Sequence, residues 1–230
     1  MGDISVVVIS EDPYFLFAAR GLLGRSREIR IHSMWASLDN FTRNAHGAHP
    51  APQAVVCDLD SISYAPGFFE HLRTYIESMP QTHYLCLAGG NLAIVTEKIK
   101  SIPIRALLAK NDLGYCLHLA IRAVVTQKDI LITESIKPFL RQPSFWPLSG
   151  KTIAPPKDHP ALTTRLAEIM MWRVFIGLDN ADIQDELLLQ DNTVRDYVSR
   201  AYKALGVSGE LDAFEVLSEW WWLTRFSEIG

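Results

Sequence analysis

Residues 4–12 read ISVVVISED, an apolar run from Ile4 to Ile9 that gives way to two acids, Glu11 and Asp12. A run this short and this apolar describes a strand buried on both faces, as in the middle of a parallel sheet. After the turn at Glu11-Asp12-Pro13, residues 14–23 have helical character and stop at Gly24. The alternation then repeats. A second strand is expected at 29–34 and a third at 54–57, running straight into Asp58; a helix follows at 68–77. A fourth strand at 84–87 ends at Gly89-Gly90, a fifth at 106–109 ends at Lys110, and a last helix covers 113–125. Five βα units in about 125 residues predict an α/β fold with a doubly wound, five-stranded parallel sheet.

In such a sheet, functional groups gather beyond the carboxyl ends of the strands. Here those ends carry Glu11, Asp12, Asp58 and Lys110. Taken singly, each acid is an ordinary turn residue. Taken in register, they suit a divalent cation and a phosphoryl group: Glu11, Asp12 and Asp58 as oxygen ligands for Mg2+, Asp58 also as the attacking carboxylate, and Lys110 against phosphoryl oxygens.

Between residues 142 and 160 stand Pro143, Pro147, Pro155, Pro156 and Pro160, too many for a helix or a central strand. The expected organisation is a first domain at 1–140, a proline-rich linker at 141–160 and a small all-helical domain at 161–230, with helices at 162–176, 182–188, 193–205 and 211–226. The 230 residues, 48% hydrophobic, suffice for two cores. No apolar run reaches the roughly 20 residues of a membrane span, and the N-terminus opens as a strand instead of a secretory signal, so a cytoplasmic protein without membrane attachment is expected. Cys57, Cys86 and Cys116 sit in apolar runs without metal-ligand spacing and read as buried free thiols. No nucleophile-elbow, phosphate-loop or zinc motif supports an enzyme. Net charge is −4, but from Lys151 onward eight Lys/Arg face thirteen Asp/Glu, net −5, leaving +1 for the first 150 residues. That imbalance argues against indiscriminate nucleic-acid binding.

The first 140 residues resemble the receiver domains of two-component response regulators, especially the NarL/FixJ class, which have a flavodoxin-like fold. The resemblance implies Glu11 and Asp12 as the acidic metal-binding pair, Asp58 in AVVCD as phospho-acceptor and Lys110 as the phosphate-binding lysine, with a histidine kinase as candidate partner. Three positions depart from it. Ala88 stands where the family has Thr or Ser, Leu107 replaces the aromatic switch residue, and Ser61-Ile62 replaces Met-Pro. These departures imply a degenerate receiver with weak or absent phosphorylation control.

Leu162-Thr163-Thr164-Arg165, Glu168, Asn180-Ala181-Asp182-Ile183, then TVRDYVSRAYKALGV at 193–207, resemble a LuxR-type helix-turn-helix over residues 159–219, one residue longer than usual before Gly177. Asp179 or Asn180 suits the cap of the first helix of the pair, and Asn192 or Asp191 that of the second; Ile183, Leu187, Val194, Val198 and Leu205 supply the apolar seam. The second helix then offers Asn192, Thr193, Arg195, Tyr197, Ser199, Arg200 and Lys203 to a major groove. Each basic residue alone reads equally as solvated surface charge. The implied function is DNA-binding transcription regulation by a homodimer on double-stranded DNA. The alternative is a signalling adaptor that has lost productive DNA contact, which Asp191, Asp196 and the acidic half would permit. Trp220, Trp221 and Trp222 cannot share one helix face and suit either core packing or an oligomer contact.

Overall fold

Ile4–Ile9 forms β1, with Val6, Val7, Val8 and Ile9 all fully buried, because a central strand presents both of its alternating faces to packed helices. The structure is a computed structural model, and it describes residues 3–45, 51–62, 67–113, 115–127, 130–140, 151–153, 159–223 and 226–228. The chain divides into two units: Met1–Pro155 together with Arg225–Gly230, and Pro156–Thr224.

In the first unit, β1 is followed by α1 (Pro13–Leu23), β2 (Ile29–Trp35), α2 (Leu38–Ala45), β3 (Ala54–Asp58), α3 (Phe68–Ser78), β4 (His83–Ala88), α4 (Leu92–Ile99), β5 (Ala106–Ala109) and α5 (Leu117–Arg122). Single helical turns at Leu59–Ile62 and Lys110–Leu113 follow β3 and β5. Asp12 caps α1, its carboxylate accepting from the Tyr14 amide, and Pro13 fills the first helical position, where no N–H is needed. On one face of the sheet, Val7, Ile9, Val55, Cys57, Tyr84 and Cys86 form a core with Leu72, Tyr75 and Ile76 of α3 and Val95 and Ile99 of α4. Strand alternation turns Val6, Val8 and Val56 to the other face. All three cysteines are buried free thiols.

The five-stranded expectation is corrected. The order is β2-β1-β3-β4-β5-β6-β7-β8, where β6 is Leu131–Thr133, β7 Lys151–Ile153 and β8 Phe226–Glu228. Among the described residues seven strands run parallel, and β8 pairs antiparallel with β7, Thr152 opposite Ser227. The expected linker therefore contains a strand. Lys151–Ile153 is a proline-free triplet in which Thr152 and Ile153 are buried; the helix expected at 211–226 runs Glu210–Leu223, and Phe226–Glu228 forms the edge strand. Linker residues 141–150 and 154–158 lie outside the described residues.

The second unit holds α6 (Thr164–Met170), which continues as π-helical turns through Met171–Ile176, then α7 (Asn180–Leu187), α8 (Asp191–Leu205) and α9 (Glu210–Leu223). Those wider turns hold one more residue per hydrogen-bonded ring than an α-helix. Gly177 ends them at φ 86°, where a side chain would be strained. Among the described residues no helix is long and apolar enough to cross a membrane.

Candidate functional site

At the carboxyl edge of the sheet, β3 delivers Asp58 and β5 delivers Lys110 to one point. The Asp58 side chain is 0% exposed, and its charge is met from three sides. Lys110 Nζ lies 2.7 Å from Oδ1, the Asp60 amide donates to the same oxygen at 3.1 Å, and Ser10 Oγ donates to Oδ2 at 2.8 Å. A buried carboxylate is tolerated only with such compensation. Lys110 also reaches Asp60 Oδ2 at 2.8 Å and lies 4.9 Å from the centre of the Phe15 ring on α1. Burial by itself would lower the Lys110 pKa, but Asp58 and Asp60 outweigh it and hold the ammonium above its ordinary value.

Sequence reasoning missed Asp60. Its Oδ2 accepts from the Gly89 amide at 2.6 Å and its Oδ1 from the Gly90 amide at 3.1 Å. Burial opposes its ionisation, yet Lys110 and these two amides together keep its carboxyl below the usual range. The available signal was the Asp58-Leu59-Asp60 spacing, which a one-turn helix folds back over the β4 loop. Ser10 was also missed; its Oγ joins Asp58 to the Asp12 amide at 3.1 Å. The added strand β6 supports Lys110 from behind. Thr133 Oγ1 accepts from the Ala109 amide at 2.7 Å, and buried Asp112 accepts from the Ser135 amide and hydroxyl at 2.8 and 2.9 Å.

The structure thus brings Asp58 and Lys110 together, but Glu11 is exposed and Asp12 is engaged as the α1 cap. Among the described residues no three His, Cys, Asp or Glu side chains are grouped to hold a metal ion. In this arrangement Asp58 gives Oδ1 to Lys110 and the Asp60 amide and Oδ2 to Ser10.

In the second unit, α7 and α8 pack as consecutive helices. Asp179 closes a capping box on α7: its Oδ1 accepts from the Ala181 and Asp182 amides at 2.8 and 2.9 Å, while Asp182 Oδ2 accepts from the Asp179 amide at 3.3 Å. At α8 neither Asn192 nor Asp191 is the cap; Gln190 holds that position without a side-chain hydrogen bond, and Asp191 begins the helix. Ile183 and Val194 are fully buried, with Leu187, Val198 and Leu205 half-buried beside them. Opposite that seam, Asn192, Arg195, Ser199, Arg200 and Lys203 are exposed, and Thr193 and Tyr197 partly so. Two bases are paired along the helix, Arg195 with Asp191 at 2.9 Å and Arg200 with Asp196 at 3.4 Å, and the Arg200 guanidinium lies 5.6 Å from the Tyr197 ring centre.

No protein-family model matches the chain, and no curated protein matches it. Its fold is that of solved response regulators. The RcsB response regulator of Salmonella typhimurium, described for its conformational dynamism in DNA interaction, is 14% identical with a TM-score of 0.53, over 95% of this chain and 99% of that one. Two RcsB dimers bound to two parallel DNAs give 17% identity and 0.52, covering 94% and 98%. RcsB from Salmonella enterica serovar Typhimurium bound to promoter rprA with phosphomimetic BeF3- gives 16% and 0.51, with the same coverage. At these identities the similarity is one of fold, and it spans nearly the whole of each chain.

Proposed function

We propose that this chain is a cytoplasmic, non-enzymatic transcription regulator of response-regulator architecture that binds double-stranded DNA as a homodimer through a LuxR-type helix-turn-helix. The observation that carries the reading is α8. Its buried seam packs it against α7 and leaves Asn192, Arg195, Ser199, Arg200 and Lys203 exposed, with Thr193 and Tyr197 partly exposed on its flanks. An α-helix of this kind fits a major groove, with residues near its N-terminus reaching base edges and later ones reaching phosphates. The DNA-bound state described for RcsB, which has this fold, adds support.

The aspartates beside the arginines do not defeat the reading. Exposed i,i+4 pairs stabilise a helix by only about 0.3–0.5 kcal/mol, so Arg195 and Arg200 exchange a carboxylate for a phosphate at small cost. Those same pairs favour the second reading, an adaptor whose helix no longer engages DNA. Phosphorylation of Asp58, with a histidine kinase as donor, is weak or absent in this account, since Ala88 and Leu107 lack the hydroxyl and the ring that the receiver resemblance calls for.

Fragmented genomic DNA of the source organism, captured on the purified protein and sequenced, tests the choice. Enrichment of a two-fold symmetric site that is lost with Arg195→Ala supports the regulator. No enrichment from either protein favours the adaptor.

A further inference from the structure

Asp60 occupies a position that its own sequence neighbourhood does not require. A surface aspartate after a strand ordinarily faces water or caps a turn. This one folds back across the sheet edge so that both of its oxygens meet donors far away in sequence: Lys110 Nζ at 2.8 Å, the Gly89 amide at 2.6 Å and the Gly90 amide at 3.1 Å. Two consecutive backbone N–H groups and an ammonium converging on one pair of oxygens make an anion-binding concavity. The fit has a steric mark as well. A Cβ on Gly89 would stand 2.8 Å from Asp60 Oδ2 and 3.5 Å from the Lys110 side chain, so the carboxylate lies where only a residue without a side chain leaves room.

We propose that Asp60 is a resident anion: from within the chain it fills a site whose chemistry suits a tetrahedral oxyanion such as inorganic phosphate, and it thereby holds the Asp58–Lys110 cluster in an anion-bound arrangement without any external ligand. Lys110 shares its ammonium between Asp58 Oδ1 at 2.7 Å and Asp60 Oδ2 at 2.8 Å. The second carboxylate thus shares Lys110 and takes both loop amides, while Asp58 stays buried, its Oδ2 bonded to Ser10. An incoming oxyanion must displace a tethered competitor whose effective concentration is high, and it meets the negative charge of two aspartates. Removing the Asp60 carboxylate frees three donors at once. This inference rests on the carboxylate cluster alone and stands or falls independently of DNA binding.

The test uses the full-length, 15N-labelled protein, following the Gly89 and Gly90 amide resonances while inorganic phosphate replaces chloride at constant ionic strength. For the wild type, neither amide shows a saturable shift. For Asp60→Ala, both amides shift saturably, and the response disappears in Asp60→Ala combined with Lys110→Met. Asp60→Ser, which keeps a small polar group on the one-turn helix, serves in the same way if the alanine variant does not fold. Saturable phosphate binding at these amides in the wild type would overturn the proposal, because the site would then be open. A folded Asp60→Ala or Asp60→Ser protein that ignores phosphate would overturn it equally, because the concavity would not be an anion site.

Discussion

Replacing Lys110 by methionine keeps most of the side-chain bulk and removes the ammonium that lies 2.7 Å from Asp58. The Asp58 carboxylate is fully buried, so it cannot recover the lost interaction from water. Removing one partner of a buried ion pair costs about 3–5 kcal/mol. Ser10 Oγ at 2.8 Å and the Asp60 amide at 3.1 Å remain in place, which puts the expected loss at the lower end, about 3 kcal/mol. With a urea m-value of about 2 kcal/mol/M, the unfolding midpoint falls by about 1.5 M, easily read by circular dichroism. Asp58→Asn placed on the same background removes the stranded charge. The double variant should therefore be more stable than the two single losses predict, with a coupling of about 1–2 kcal/mol between the sites. A Lys110→Met protein within about 0.5 kcal/mol of the wild type, or a double variant whose losses simply add, would refute the claim that this pair carries its charge buried and mutually compensated.

Two further outcomes follow from the same reasoning. Burial, with a contribution from Arg122 and against a backbone hydrogen bond at Tyr115, lowers the His118 pKa to about 4. Folding thus excludes a proton that the unfolded chain accepts near its ordinary value, so stability is complete above that value and is lost as pH falls toward the folded pKa. Between neutral pH and about pH 5 this group alone removes about 2 kcal/mol, an increment that His118→Gln should lack in parallel urea titrations. Asp179→Ala opens the α7 capping box and should cost about 1 kcal/mol in thermal unfolding, with Asp179→Asn recovering most of it; equal stability of both variants would mean that the box does not hold the helix start.

The parts legible in the sequence are those that local chemistry dictates. Buried parallel strands must be apolar through their length, so β1, β3, β4 and β5 stand out, and the residues at their carboxyl ends, Asp58 and Lys110, are placed by the topology alone. Capping aspartate at 179 and glycine at 177 carry their own signals. Long-range pairing carries none. The strands β6, β7 and β8 have three residues each, too short for a period, and they are held by register with distant segments, Leu131 opposite Lys151 and Lys151 opposite Glu228. Asp60 looks like any turn aspartate until the β4 loop is folded against it. Gln190 begins α8 despite a weak capping propensity because packing of Val194, and not the cap, fixes the helix. Of the three tryptophans, Trp222 is buried, Trp220 stacks edge-on with His159 at 4.8 Å, and the Trp221 side chain lies outside the described residues.

The central claim concerns α8 and is tested most directly by salt titration of duplex DNA binding, followed by fluorescence anisotropy on a captured fragment. Each phosphate neutralised releases condensed counterions, so the logarithm of affinity should fall linearly with the logarithm of salt, by about 0.9 per contact. Lys203→Ala should flatten that slope by about one contact across all sequences, whereas Arg195→Ala should cost about 1–3 kcal/mol on the selected site. Binding that is absent, or that salt and Arg195→Ala both leave unchanged, would contradict the regulator reading and leave the adaptor in its place.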